Sequence, residues 1–338
     1  MTPSKTDLRL SVLDTVPIPE GSTARAALYN TVDLARSADA SGYHRYWVPE
    51  HHSMRGVASS APAVLVSRLA DATDRIRVGS GGVLLPNHAP LVVAEQFGTL
   101  EAFYPGRIDL GIGRASGGPP HATPAIRGPG PYQGDFAEQL GELLSYFDEP
   151  DPGPRTVRAV PAIGNRPEPW LLGTTPFSAR LAGEVGLPYA FAHHLNPDGI
   201  EALEIYRDSF QPSETTRVPK VIVSVSLITA DTDANAEWLA GSIRLKVLSR
   251  MKGKRIRMPS PEDAASVHYT RDDRDAIGRA TSELIVGAPA TVRHKLEPLI
   301  AATATTELMV KTLAFDHADR RRSYELLAES SRQVSLVK

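Results

Sequence analysis

Residues 75–117, RIRVGSGGVLLPNHAPLVVAEQFGTLEAFYPGRIDLGIGRASG, decide the fold. Residues 75–85 and 107–112 are short apolar runs of strand character, and between them a helix-like stretch begins after Pro90 and ends near Gly106. Proline suits the first turn of a helix and glycine the position just past its end, so the punctuation agrees with the periodicity. Strand, helix and strand in succession make a βαβ unit with parallel strands.

The alternation extends in both directions. Apolar segments near 8–13, 43–48, 168–172, 188–192, 220–228 and 307–313 complete a set of eight predicted strands, each followed by a helix-like stretch. After the first, Ala24, Leu28, Val32, Ala35 and Ala38 form one helical stripe, with Ser22 or Thr23 available as N-cap and Gly42 as terminator. The second helix opens at Ser60 and Pro62, and the fourth runs from about Gln133 to Phe147. Eight such units predict an α/β protein closed as a (β/α)8 TIM barrel, a doubly wound open sheet being the alternative. Two interruptions, after strand 4 at about 114–132 and before strand 8 at about 250–306, read as insertions into a single domain spanning 1–338. The second opens with the basic segment MKGKRIRMP, which fits either a mobile, anion-attracting lid or a solvated loop.

The chain has 338 residues, 41% of them hydrophobic, enough to bury a full core. Thirty-seven basic against 39 acidic residues give a net charge of −2, so no electrostatic excess favours nucleic acid or anionic lipid. Absence of cysteine removes thiolate nucleophiles, cysteine-ligated zinc and iron–sulfur clusters. No run approaches the roughly 20 apolar residues that span a bilayer, and the N-terminus lacks a signal-peptide stretch, so a cytoplasmic location is expected.

In a barrel the functional groups gather at the C-terminal ends of the strands. There the sequence places Glu50-His51-His52, Gly79-Ser80-Gly81-Gly82, Gly111-Ile112-Gly113-Arg114, Gly173-Thr174-Thr175 and His193-His194. Adjacent histidines on a strand end point to opposite sides, so no metal site is expected; His51 suits acid–base or hydrogen-bonding work and His52 packing. The run from Gly111 to Gly117 is not GxGxxG, but its small residues would let a flat ring approach, with Arg114 a fixed charge for an anionic ligand. Gly81-Gly82 within a strand implies a bulge or a planar neighbour. Thr174 and Ser178, beside Gly173 at a helix start, fit either phosphate binding or capping. There is no GxxxxGK[ST] and no GxSxG.

Residues 43–52 (YHRYWVPEHH), 78–117 and 169–194 (PWLLGTTPFSARLAGEVGLPYAFAHH) closely resemble the bacterial-luciferase-like flavin monooxygenases, with similarity running from LSVLD (10–14) to LIVGAPATV (284–292). The chain is similar to the luciferase-like group 1 oxidoreductases, which include monooxygenases of aromatic polyketide pathways such as mensacarcin biosynthesis. The resemblance implies a homodimeric barrel, joined through helices two and three, that takes reduced FMN (FMNH2) from a separate NAD(P)H flavin reductase. It would use O2 as co-substrate through a flavin C4a-peroxide to oxygenate a small organic molecule. By position, His51 matches the catalytic histidine and Arg114 the arginine near flavin ring and phosphate. Gly81 and Gly82 match a bulge with a non-prolyl cis peptide against the ring. Gly173, Thr174, Ser178 and Arg127 match the phosphate region, and Glu95 an acidic residue of helix three. Gly113 stands where luciferases carry cysteine, which argues against light emission, and GRASGGP replaces the common GRAPGTD. Relatives that use deazaflavin F420 for hydride transfer make that the alternative, and a non-catalytic flavin-binding protein is a further one.

Overall fold

The computed structural model describes residues 8–127, 135–150, 153 and 156–335. Its strands are β1 (Arg9–Leu13), β2 (Arg45–Val48), β3 (Arg77–Leu84), β4 (Ile108–Gly113), β5 (Glu168–Gly173), β6 (Tyr189–Phe191), β7 (Val221–Thr229), β8 (Leu284–Gly287) and β9 (Glu307–Lys311). β1 to β7 pair in sequence order, and β9 closes the ring between β7 and β1, every pair parallel. The eight expected strands are therefore the eight staves of a (β/α)8 barrel.

β8 is an addition to that expectation. β9 pairs with the first part of β7, Val223 to Ser226, and β8 pairs with the remainder, Ser226 to Thr229. β7 is nine residues long because it serves both partners. β8 lies in the segment read as an insertion before the last strand, which also holds helices Pro261–Ser266, Arg271–Ala280 and Pro289–Thr303. In the interruption after β4 a short helix covers Thr123–Arg127; residues 128–134, including the expected start of the next helix at Gln133, lie outside the described residues. That helix is Phe136–Ser145. The first helix, Ala24–Ala40, is capped by Thr23, whose hydroxyl accepts from the Ala26 amide, and Gly42 follows with φ 82°.

Helices pack on the outer faces of the strands and form the main apolar core. The inside of the ring is filled in layers. At the N-terminal end of the strands Arg45 is buried and binds three carboxylates: Glu307 at 2.8 Å, Asp109 at 2.9 Å and Glu168 at 3.0 Å. Ser11 donates to Glu307 at 2.6 Å, Arg77 pairs with Asp109 at 2.6 Å and Lys220 with Glu168 at 2.9 Å, so each buried acid has a partner. Burial pushes the Glu168 carboxyl up, but Arg45 and Lys220 prevail and hold it at about 2.

Above the ions lies an apolar layer of Leu13, Trp47, Trp170, Ala190, Ile222 and Met309. Trp47 and Trp170 meet edge to face with centroids 5.7 Å apart, Trp170 carries the Arg45 guanidinium at 4.7 Å, and Trp47 Nε1 donates to Asp109 at 2.8 Å. β3 and β4 make room for these rings by contributing glycine. A Cβ on Gly81 would stand 2.9 Å from Leu13 and 3.0 Å from Trp47, and one on Gly79 or Gly111 would strike the neighbouring strand's backbone.

Replacing Arg45 by Gln should leave Glu307 without a cationic partner, and Asp109 and Glu168 with only Arg77 and Lys220, and lower the unfolding free energy by about 3–5 kcal/mol. Urea denaturation at unchanged slope checks this; a loss under about 1 kcal/mol would mean that the ion layer does not hold the barrel closed.

Candidate active site

At the opposite, C-terminal end of the strands, β2 runs on into Pro49, Glu50, His51 and His52. Glu50 is buried and gathers this end of the barrel. Its carboxylate accepts from the Leu84 amide at 2.9 Å and Asn87 Nδ2 at 3.0 Å, and bonds His52 Nε2 at 2.7 Å and His88 Nε2 at 2.8 Å. Burial pushes the Glu50 carboxyl up, and hydrogen bonds from His88, Asn87, Leu84 and His52 more than offset it, holding the group at about 2. Glu50 N–H also donates to the Gly82 carbonyl at 3.2 Å. Gly82 belongs to a register shift between Ser80 and Val83, and the Gly81–Gly82 peptide is cis. The expected bulge thus exists, held from the side by the residue preceding His51.

The loop after β4 closes over the same segment. His52 N–H donates to the Gly117 carbonyl at 2.9 Å, and a Cβ on Gly118 would lie 2.8 Å from the His52 carbonyl oxygen. Gly117 has φ 70° and lies against Leu84 and the Glu50 backbone, so the two glycines of this loop are needed for close approach. His52, expected to pack, is instead a hydrogen-bond partner of Glu50.

His51 points elsewhere. Its backbone N–H donates to the Ser59 carbonyl at 2.8 Å, while its ring Nδ1 is buried without a hydrogen-bond partner among the described residues. Burial pushes its pKa down, the nearby Lys311 ammonium pushes the same way and the Gly117 carbonyl opposes, so the ring is neutral at neutral pH. Across the mouth, His194 Nδ1 bonds Ser224 Oγ at 2.8 Å; burial, with Lys311 second, brings its pKa to about 3. His193 faces Glu283 at 3.7 Å, and its Nδ1 is also buried and unpartnered. Among the described residues no group of three or more acidic or histidine side chains is placed to hold a metal ion.

The remaining expected residues fall into two places. Arg114 is exposed at the end of β4, its guanidinium stacked on Phe177 at 4.5 Å, with no ion pair among the described residues. Phe177 lies in the first turn of the helix Pro176–Glu184, whose N-cap is Thr175 in a reciprocal capping box with Ser178. Capping therefore falls to Thr175, and the half-buried Thr174 hydroxyl is left without a partner among the described residues. The Thr174 carbonyl accepts from Asn196 at 2.9 Å, and Ser178 Oγ donates to Thr175 O at 2.9 Å. A Cβ on Gly173 would overlap Ser178, so only glycine fits there. Arg127 is elsewhere: its Nε donates to Asn87 Oδ1 at 2.9 Å, which ties it to the Glu50 cluster and not to Thr174 or Ser178.

Asn87, His88 and Lys311 were not anticipated. The pair Asn87-His88 just past a predicted strand end was a usable signal, whereas a lysine closing an apolar strand reads as the strand's exit into solvent. Cavities of about 310 and 460 Å³ lie away from the mouth, the first lined by Ser145–Pro150 and Val157–Ile163 residues, the second below the ion layer around Arg77, Glu101 and Glu168.

The family model for luciferase-like monooxygenases matches residues 8–306. The Bacillus subtilis protein YvbT is 46% identical over 96% of both chains, and an Escherichia coli K12 luciferase-like monooxygenase is 42% identical over 97% of this chain and 98% of its own. The N-acetyl-S-alkylcysteine monooxygenase of B. subtilis is 33% identical over 96% and 98%. Among solved structures, apo-MsnO8 superposes with TM-score 0.86 at 38% identity, covering 97% of this chain and 98% of that one. The FMN complex of the oxygenating constituent of Pseudomonas putida 3,6-diketocamphane monooxygenase shares the fold, with TM-score 0.72 at 23% identity over 96% and 97%.

Because the Glu50 carboxyl lies below its ordinary 4.5 in the fold, its stabilising effect is full above about pH 4.5 and is lost as pH falls toward 2. The difference in Tm between wild type and Glu50→Gln should therefore shrink between pH 5 and pH 2.5, values bracketing that window to about half a unit. A constant difference across it would contradict the depressed carboxyl.

Proposed function

Since the chain belongs to the luciferase-like monooxygenase family, we propose that it uses reduced FMN and O2 to oxygenate a small organic substrate. That it is an oxidoreductase of the monooxygenase class follows from the family itself. The observation that carries the finer reading is His51: a neutral ring with a buried, unpartnered Nδ1, next in sequence to the residue that holds the Gly81–Gly82 bulge.

The residues at the mouth fit a flavin mononucleotide. Arg114, the Thr174 hydroxyl that has no partner among the described residues, the N-terminus of helix Pro176–Glu184 and, on turning from the Thr175 carbonyl, the Ser178 hydroxyl would be donors for a phosphate, and Gly173 keeps that turn tight. The glycine bulge, without side chains above the tryptophan layer, would let a planar ring lie against its backbone. Reduced FMN, when bound, supplies the two electrons with which O2 places one oxygen atom in the substrate and releases the other as water. His51 Nδ1 holds or moves one proton in that site, and burial together with Lys311 keeps the ring from charging before it acts. Glu50, His52 and His88 position the bulge and the His51 backbone. Trp47 and Trp170 shut the barrel below, excluding water from beneath the site.

Substrate classes include carbonyl and aromatic or polyene compounds, to which the N-acetyl-S-alkylcysteine relative adds thioethers. A separate NAD(P)H flavin reductase in the cytoplasm would supply FMNH2; no described helix is long and apolar enough to cross a membrane. Exposed Val64, Val92 and Phe103 on the second and third helices suit contact with a second copy of the chain. The insertion at about 250–306, whose residues 252–255 are exposed, would serve as a lid, and beyond that stretch Glu20 N–H donates to the Met258 carbonyl at 2.9 Å.

Arg114→Ala should weaken FMN binding about 10- to 100-fold, as expected for a lost charge-assisted contact. His51→Ala should leave that affinity within about 2-fold and cut product formed per O2 consumed, slowing oxygenation about 10²-fold or more. Wild-type rate and coupling in His51→Ala would remove the histidine from the chemistry. Reduction of a substrate by reduced F420 without O2 uptake would replace the monooxygenase reading with hydride transfer.

A further inference from the structure

Lys311 is the last residue of β9, two positions beyond Met309 in the inner layer, so strand alternation puts it on the inside of the barrel, one step nearer the mouth. In the ring of strands β9 stands midway between β2 and β6, with β1 on one side and β7 on the other, so Lys311 lies between the ends that carry His51 and His194, and its charge reaches both rings. A second cation comes from the helix Asp233–Met251. Lys246 is half-buried, and its Nζ lies 3.7 Å from where a Cβ on Gly56 would stand, so it reaches the loop that follows His52. Arg250, one helical turn on, acts with Lys246 on Lys311.

None of these three side chains has an anionic partner among the described residues. The contrast with the other end of the barrel is direct: there Arg45 has three carboxylates, here three cations share none. Burial pushes the Lys311 ammonium down to about 8, and Lys246 and Arg250 push it the same way, yet it remains largely protonated at neutral pH. Arg250 is exposed, but Lys311 and Lys246 are partly desolvated like charges without a counter-ion, which costs free energy that an anion arriving from outside would offset. The cluster is also separate from the proposed phosphate donors, since Arg114 follows β4, the strand opposite β9 in the ring, and Thr174 and Ser178 follow β5 beside it.

We propose that Lys311, Lys246 and Arg250 receive the carboxylate of an acidic substrate, holding it at the barrel mouth between His51 and His194. This rests on the monooxygenase reading above and narrows its substrate to small organic acids. The carboxylate would bind Lys311 directly, Lys246 would close on it from the side of the 53–57 loop, and Arg250 would add long-range attraction. Its remaining atoms would then extend toward His51.

Calorimetric titration of the protein, with and without FMN, tests this with N-acetylmethionine and benzoate against their amides. The acids should bind about 10-fold or more tighter than the amides, as a charge-assisted contact requires. Lys311→Gln should reduce that preference to about 2-fold or less, and Lys311→Arg should retain most of it. Lys246→Gln, on a helix flank, should weaken the acids and spare the amides, which keeps the test independent of how Lys311→Gln folds. Arg114→Gln should weaken FMN and leave the acid preference intact. Equal affinity of acid and amide, no binding of either acid at about 10 mM, or a preference that survives both lysine variants would overturn the proposal. So would FMN competing with the acids while Lys311→Gln weakens FMN as much as Arg114→Gln, since the cluster would then hold the flavin phosphate. An acid preference that depends on Lys311 in a protein that fails to bind FMN would support the carboxylate site and discard the flavin reading.

Discussion

The ion pairs of Arg45 with Asp109, Glu168 and Glu307 set the polarity of the whole molecule. A ring of eight strands must be filled, and here the end nearest the strand starts is filled by charges that satisfy one another. Such a layer is stable only when complete, because each charge left alone in the interior is costly. Trp47 and Trp170 rest on it and are joined to it by a hydrogen bond to Asp109 and the Arg45 stack. With large rings on β2 and β5, glycine on β3 and β4 is what allows the ring of strands to close around them. One end of the barrel is thereby sealed, and chemistry is confined to the other.

At the open end the electrostatics are divided. Glu50 is an anion fully used by its neighbours, and it joins the end of β2 to the end of β3, while its partners His52 and Asn87 bond in turn to the loop after β4. Lys311, Lys246 and Arg250 are cations without such neighbours, and Arg114 with Thr174 forms a second donor group across the mouth. Between them His51 and His194 are kept neutral by burial and by Lys311. A site with two separate demands for negative charge and a neutral proton carrier between suits a phosphate-bearing cofactor and an acidic substrate held side by side.

The alternation of apolar runs with capped helices made the barrel legible, and because cap chemistry is local the first helix start was narrowed to Ser22 or Thr23, of which Thr23 caps, and its terminator to Gly42. Gly81-Gly82 was legible for the opposite reason: glycine is disfavoured inside a strand unless the backbone needs it. β8 escaped because four residues within a long interruption carry too little period, and only its pairing with the outer half of β7 makes it a strand. Thr175 and not Thr174 caps the helix, a one-residue choice that depends on where Gly173 meets Ser178. The work of Glu50 and the isolation of Lys311 depend on residues far apart in sequence, so neither could be read from its own neighbourhood.

The most direct measurement is a crystal structure of the FMN complex. The account predicts the phosphate on Arg114, Thr174 and Ser178, the ring against Gly81–Gly82 with His51 Nδ1 facing it, and Lys311 left open toward the remaining space. A phosphate seated on Lys311 and Lys246, or a ring remote from the glycine bulge, would contradict it.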